Sequence, residues 1–147
     1  MEKQVWTPEY CGELFGKGFD CGQVVLSFFA EELGLTVDEA NKLGAAFGGG
    51  CGQGGTCGAV AGAMMALGLK YGHFDETRPE QKEEMMKVRE EFLSKFKEQR
   101  GSVLCRDLLG HDISKPGEFE KVQEEGTMGT LCPALCSECI AIAKELL

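Results

Sequence analysis

The sequence predicts an all-α fold, a single-domain compact helical bundle of about five to seven helices over residues 1–147. Apolar residues recur at helical spacing, as Val24, Val25, Phe28 and Phe29 do within one segment, and no alternating strand pattern occurs. Capping residues and glycines bracket such segments. The length is that of one ordinary domain, and neither a tandem repeat nor a linker divides the chain.

Two helices are predicted before a glycine-rich stretch. The first covers residues 21–34, and Gly34 ends it. Thr36 and Glu39 then form a capping-box pattern, in which each residue's side chain bonds the backbone of the other. This pattern predicts that a second helix opens at Thr36 and runs to about Phe47.

A third helix is predicted at 56–72, with Thr56 as its N-cap and Gly72 as its end. Every fourth residue on one face of this helix is small, which lets another backbone approach closely. These residues are Gly58, Gly62 and Ala66. The stripe indicates either close packing within the domain or the seam of a homodimer.

The second half of the chain continues the helical pattern. Thr77 and Glu80 open a long, solvated helix at 79–100. The elements predicted after it are a short helix at 101–110, a polar loop with at most one helical turn at 111–129, and a final helix at 130–147. Pro133 is compatible with the first turn of that last helix, where its missing N–H is not needed.

The charge and hydropathy of the chain exclude some function classes. Its formal net charge is −9, and most basic residues alternate with acidic ones, which argues against a nucleic-acid partner. No apolar run approaches the roughly 18 residues that a membrane span needs. The N-terminus has no apolar core of the signal-peptide kind, so we expect a cytoplasmic protein without membrane insertion.

The chain is rich in cysteine. In a cytoplasmic protein an even set of cysteines indicates metal binding or redox chemistry rather than a disulfide framework. The eight cysteines are Cys11, Cys21, Cys51, Cys57, Cys105, Cys132, Cys136 and Cys139. Some of them could be small buried hydrophobic residues, but that explanation does not account for all eight.

The stretch FGGGCGQGGTCGAVAG at 47–62 contains a G-x-G-x-x-G pattern at Gly50, Gly52 and Gly55. A dinucleotide site would require a strand before this pattern, but a capped helix precedes it. A phosphate-binding P-loop would require Gly-Lys followed by Ser or Thr, which is missing. Nucleotide binding is therefore not favoured.

The same stretch suits the presentation of thiols. Glycines allow positive φ and leave backbone N–H groups free to face an anion. The residues predicted to contact a cofactor are Gly49, Gly50, Cys51 and Gly52. Cys57 falls in the first turn of the following helix, where the helix dipole stabilises a thiolate, so a low pKa is expected for Cys57.

The last helix carries Cys132, Cys136 and Cys139 at positions i, i+4 and i+7, which share one helix face. The face is either buried core or a stripe of ligand or redox residues, since a C-x-x-C pair can share a metal or close a disulfide. The radical-enzyme cluster motif is excluded because no βα barrel surrounds the pattern. His73 and His111 are interpreted as isolated surface residues.

Together these motifs resemble the C_GCAxxG_C_C family of redox-active proteins. The resemblance rests on FDCGQVVL, on GGGCGQGGTCGAVAGAMMALGLKYG, on GSVLCRDLLG and on the last helix, and so covers most of the chain. It implies redox activity and four functional cysteines. These are Cys21, Cys57, Cys105 and Cys139, with Cys136 as the alternative for the last position.

Three functions remain open at this point. In the first, the four cysteines ligate an iron–sulfur cluster that exchanges electrons with a redox partner protein. In the second, Cys57 is the attacking thiolate of a thiol–disulfide protein, and Cys21 or Cys51 resolves the mixed disulfide. In the third, zinc binds the C-terminal cysteines and the protein is a scaffold.

Overall fold

The computed structural model describes residues 4–147, and residues 1–3 of the predicted domain lie outside the described part. The all-α prediction is confirmed: residues 4–147 contain no β-strand, and one antiparallel bridge joins Thr56 to Leu104. The α-helices are α1 (Pro8–Gly16), α2 (Cys21–Phe29), α3 (Val37–Gly44), α4 (Gly58–Tyr71), α5 (Glu80–Arg100), α6 (Cys105–Leu109), α7 (Glu118–Glu125) and α8 (Thr127–Leu146). The described part thus has more helices than the five to seven expected, because short elements such as α1 are separately capped.

The predicted starts and ends of the first helices hold in part. The Thr36–Glu39 capping box is present, since the Thr36 hydroxyl accepts from the Glu39 N–H at 3.0 Å and the Glu39 carboxylate accepts from the Thr36 N–H at 3.0 Å. The first helix is shorter than predicted. It passes through a 3₁₀ turn, Glu31–Leu33, before Gly34 ends it with φ 85°.

Two predicted N-caps are wrong. Thr56 takes part in the bridge with Leu104, so the N-cap of α4 is Cys57. Thr77 donates its N–H and its hydroxyl to Asp75, at 3.0 and 2.7 Å, and α5 starts only after Pro79. In both cases a contact outside the helix occupies the residue that the local pattern assigned to the cap.

The polar segment after α6 is more helical than predicted. It contains α7, which is bracketed by left-handed glycines at Gly117 and Gly126. α8 begins at Thr127, three residues earlier than predicted, so Pro133 lies in its second turn rather than its first. There the proline removes one backbone hydrogen bond within the helix.

The small-residue stripe of α4 packs inside the molecule. A Cβ atom at Gly62 would lie 2.8 Å from the backbone oxygen of Gly22, and one at Gly58 would lie 2.8 Å from that of Phe47. The absence of side chains therefore lets α2 and α4 cross at backbone contact. This stripe is a helix–helix contact within the chain.

The main hydrophobic core lies between α2, α4, α5 and α8. Its largest fully buried side chains are Phe28, Phe29, Phe92 and Phe96. Within residues 4–147 no single helix has both the length and the apolar character of a membrane span. α7 and α8 meet that test only when taken together, and they are bent by 81° at their junction.

The capping box gives a first prediction. Thr36→Ala removes the hydroxyl that satisfies an N–H of α3, and we expect it to lower the free energy of unfolding by about 1 kcal/mol. Thr77→Ala is the matched control, since this threonine is not a helix cap, and a change within about 0.5 kcal/mol is expected. Urea denaturation measures both; equal losses would contradict the assignment of caps.

Candidate redox site

Four cysteines line one cavity of about 410 Å³, which we call the thiol cavity. They are Cys21, Cys57, Cys105 and Cys132. The glycine loop, residues 48–55, forms part of the wall through Gly48, Gly49 and Gly52. Most of the remaining wall is apolar and consists of Phe15, Leu108, Leu109, Ile113, Phe119, Met128 and Leu135. Asp20, the N-cap of α2, also lines the cavity and brings a carboxyl group close to Cys21.

Two of these cysteines lie at helix N-termini. Cys21 is the first residue of α2, and Cys57 is the N-cap of α4. A Cβ at Gly58 would lie 3.3 Å from the Cys21 Cβ, so the glycine contact between α2 and α4 brings the two ends together. Helix N-termini carry partial positive charge, and this arrangement favours an anion between them.

A long-range backbone contact brings Cys105 to the same place. The Cys57 N–H donates to the Val103 carbonyl at 2.7 Å, and the Cys105 N–H donates to the Gly55 carbonyl at 2.6 Å. These bonds flank the Thr56–Leu104 bridge. The short pairing therefore fixes two cysteines that are far apart in sequence on one wall of the cavity.

The fourth cysteine on the cavity wall is Cys132, whereas Cys139 and its alternative Cys136, which the resemblance implied, do not line the cavity. All three lie on one face of α8, but a helix rises 1.5 Å per residue, so Cys139 is about 10 Å further along the axis. Cys136 and Cys139 are both fully buried in the core. Spacing predicted the shared face, whereas depth along the axis decides which thiol meets the cavity.

Cys21 is the most acidic thiol of the group. Its pKa lies well below the ordinary value because the S–H groups of Cys132 and Cys136 donate to its sulfur, and the Gly49 N–H also contributes. The Cys136 thiol also lies 3.8 Å from the Cys21 carbonyl oxygen. These hydrogen bonds to the Cys21 thiolate lower its pKa by more than burial raises it.

The low pKa predicted for Cys57 is wrong in this structure. Burial and, after it, the charge on Cys21 raise the pKa of Cys57 to about 12, although the N–H groups of Val60 and Ala59 act in the opposite direction. Burial likewise raises the pKa of Cys105 to about 11. Only 5% of Cys57 is exposed, so desolvation outweighs the helix dipole.

The glycine loop has a left-handed turn at its centre. Gly49, Gly50, Cys51 and Gly52 have φ values of 67°, 62°, 60° and 68°. Gly49 and Gly52 line the thiol cavity, whereas Gly50, which is buried, and Cys51, which is exposed, do not line it. Cys51 is therefore not placed to resolve a disulfide at Cys57.

Cys21, Cys57, Cys105 and Cys132 are the residues that would hold a metal or a cluster in the thiol cavity. Among residues 4–147, no three His, Cys, Asp or Glu side chains converge closely enough to hold one metal ion. The C-terminal cysteines predicted for zinc are thus not gathered around one point. A four-thiol set is the usual ligand set of [2Fe–2S] and [4Fe–4S] clusters, whose ligands are spread more widely than those of one ion.

Sequence reasoning missed the surroundings of His111. Its Nδ1 lies 2.7 Å from a Glu118 carboxylate oxygen and its Nε2 lies 3.1 Å from one of Glu125. The two glutamates are seven residues apart, so they share one face of α7, and that spacing was the available signal. His73 is exposed, as predicted.

The fold and the site define a class of all-α proteins that present four cysteines to one largely apolar cavity. The chain belongs to the C_GCAxxG_C_C family: the family model described as "Putative redox-active protein (C_GCAxxG_C_C)" matches residues 19–146. That range includes all four cysteines of the cavity. Comparison with curated proteins gave no match, and comparison with solved structures gave none either.

Proposed function

We propose that this protein transfers electrons through an iron–sulfur cluster bound in the thiol cavity. The observation that supports the proposal is that Cys21, Cys57, Cys105 and Cys132 come from separate parts of the chain and line one cavity. A cluster bound there would supply a one-electron carrier. The electron donor or acceptor would be a redox partner protein.

The residues around the cysteines would favour an anionic group. The N-termini of α2 and α4 direct their positive ends to the site, and the Gly49 N–H donates to the Cys21 sulfur. Hydrogen bonds to sulfur and exclusion of solvent both tune the reduction potential of such sites. The apolar wall, which includes Phe15 and Leu135, limits the access of water.

Metal and sulfide analysis tests the proposal. Protein purified without oxygen is expected to be coloured, with iron and acid-labile sulfide in stoichiometric amounts and no zinc. A colourless protein with neither iron nor zinc would overturn the cluster proposal and favour thiol–disulfide chemistry. Zinc alone would also overturn it and favour a structural metal site.

Two serine variants test which cysteines serve the site. Cys57→Ser is expected to remove redox activity, because Cys57 lines the cavity. Cys11→Ser is the control, since Cys11 is buried in α1 and does not line the cavity, and it should leave redox activity in place. Loss of activity in the Cys11 variant alone would contradict the assignment.

Thiol–disulfide exchange is the second candidate, and the low pKa of Cys21 favours it. The Cys21 thiolate would attack a substrate disulfide, breaking its S–S bond and releasing one thiolate. Cys132, after losing its proton to solvent, would then attack the Cys21 sulfur and release the second substrate thiolate. The substrate disulfide gains two electrons and the protein is left with a Cys21–Cys132 disulfide.

The nucleophile in this second candidate differs from the one that the sequence predicted for thiol–disulfide exchange. Cys21 replaces Cys57 as the attacking thiolate, because the pKa of Cys57 is raised to about 12 by burial. The expected sign of exchange chemistry is a reversible disulfide at Cys21 in metal-free protein, detected by mass spectrometry. A metal-free protein with no such disulfide under oxidising conditions would contradict it.

A further inference from the structure

One segment of the chain, residues 110–126, forms part of the wall of the thiol cavity, and we call it the lid. It contains the loop after α6 and the whole of α7. Ile113 and Phe119 of the lid form part of the cavity wall. Val122, which is fully buried, packs the lid against Cys105 and Leu109 in a small cluster separate from the main core.

The lid lies directly on the glycine loop. A Cβ at Gly49 would be 2.6 Å from Cδ1 of Ile113, and a Cβ at Gly54 would be 2.8 Å from a carboxylate oxygen of Asp112. Larger residues in the loop would therefore displace these two lid side chains. The lack of side chains at Gly49 and Gly54 thus allows the lid to pack closely against the glycine loop.

Glycines stand at the two ends of the lid and at the start of α7 within it. Gly110, Gly117 and Gly126 have φ values of 76°, 79° and 73°. No neighbouring atom lies within 4 Å of a Cβ built at any of the three, so packing does not account for glycine there. The backbone conformation does, and it gives the lid flexible residues at both ends.

His111 ties the two halves of the lid together. It lies in the loop after α6 and bridges Glu118 and Glu125 of α7, at 2.7 and 3.1 Å. Lys121 in turn donates to Glu118 at 3.1 Å. A protonated imidazole donates to both carboxylates, whereas a neutral one donates to only one.

We propose that residues 110–126 form a lid that controls access to the thiol cavity, and that protonated His111 is the latch that keeps the lid closed. This role does not depend on what the cavity holds, because it rests on the contacts of the lid with the glycine loop and of His111 with α7. Opening exposes the cavity cysteines to a partner or to a small reactant.

The direction of the pH dependence follows from the charges at His111. The pKa of His111 is raised by its hydrogen bond to Glu118 and then by Glu125, and the pKa of Glu118 is lowered in return. Because the folded-state pKa of the histidine is raised, the latch is fully present below the ordinary histidine value. It is lost as the pH rises through the raised pKa.

Hydrogen–deuterium exchange of the protein as isolated tests the latch. His111→Gln removes the imidazole, and His73→Gln is the matched control because His73 is exposed and distant in sequence from the lid. At about pH 6 the lid amides of the His111 variant should exchange about tenfold faster than those of wild type, as loss of hydrogen bonds to charged groups predicts. At about pH 9 the difference should be clearly smaller, because the neutral imidazole keeps only one of the two hydrogen bonds.

Two results would overturn the latch. One is exchange of residues 110–126 in His111→Gln at the wild-type rate at the lower pH. The other is faster exchange spread equally over α2 and α4, which would indicate general destabilisation. If His111→Gln does not fold, Glu125→Gln removes one of the two carboxylates and must show the same lid-specific acceleration. Iron content decides the proposed function separately, so each can fail without the other.

Discussion

Replacing Cys132 with alanine is expected to remove most of the iron from the protein, whereas replacing Cys139 is expected to leave it in place. Cys132 lines the thiol cavity, and Cys139 is fully buried away from its wall. Even changes outside the ligand shell lower metal affinity by about 10–100-fold, so loss of a ligand should cost roughly tenfold or more. Iron and sulfide per chain measure the effect.

The two variants control for each other, because both remove one thiol from the same face of α8. Cys139→Ala should cost about 1 kcal/mol of stability through the space left in the core. If Cys132→Ala keeps its iron and Cys139→Ala loses it, the fourth ligand is Cys139, as the sequence resemblance implied. That result would refute Cys132 as the fourth ligand.

Gly62→Ala is expected to lower the free energy of unfolding by about 1–3 kcal/mol, as overpacking of a tight contact does. The new Cβ would lie 2.8 Å from the Gly22 backbone oxygen and 3.1 Å from the Val25 Cβ, and neither atom belongs to a flexible side-chain end. The two helices must therefore separate. Because their N-termini hold Cys21 and Cys57, iron content should fall as well.

Gly68→Ala on the same helix is the matched control. Nothing lies within 4 Å of a Cβ at Gly68, so alanine should stabilise α4 by about 0.5–1 kcal/mol through its higher helix propensity. Urea unfolding followed by circular dichroism measures both variants. Similar effects of the two substitutions would contradict the close crossing of α2 and α4.

Local signals predicted much of the fold. The Thr36–Glu39 capping box and the glycine stop at Gly34 depend on residues within a few positions of each other, so the pattern sufficed. Thr77 failed as a cap because a nearby residue, Asp75, binds it, whereas the failure at Thr56 came from a distant contact. Thr56 is not a helix cap because it pairs with Leu104, and no local pattern carries that information.

The site, too, was only partly predictable from the sequence. Three of its four cysteines, Cys21, Cys57 and Cys105, were predicted through the family resemblance, and all three line the cavity. Cys132 was predicted only as part of the shared face of α8, because sequence spacing gives the face of a helix but not the level at which a neighbouring cavity opens. The pKa of Cys57 was misjudged because burial, which the dipole argument ignores, is the larger effect.

Differential alkylation before and after iron removal tests the central claim most directly. In protein purified without oxygen, Cys51 should be labelled at once because it is exposed. After a chelator removes the iron, labelling should rise together at the four cysteines of the thiol cavity, while the fully buried Cys136 and Cys139 stay protected. Iron release that instead exposes Cys139 and leaves Cys132 unchanged, or that changes no cysteine, would contradict a cluster held in the thiol cavity.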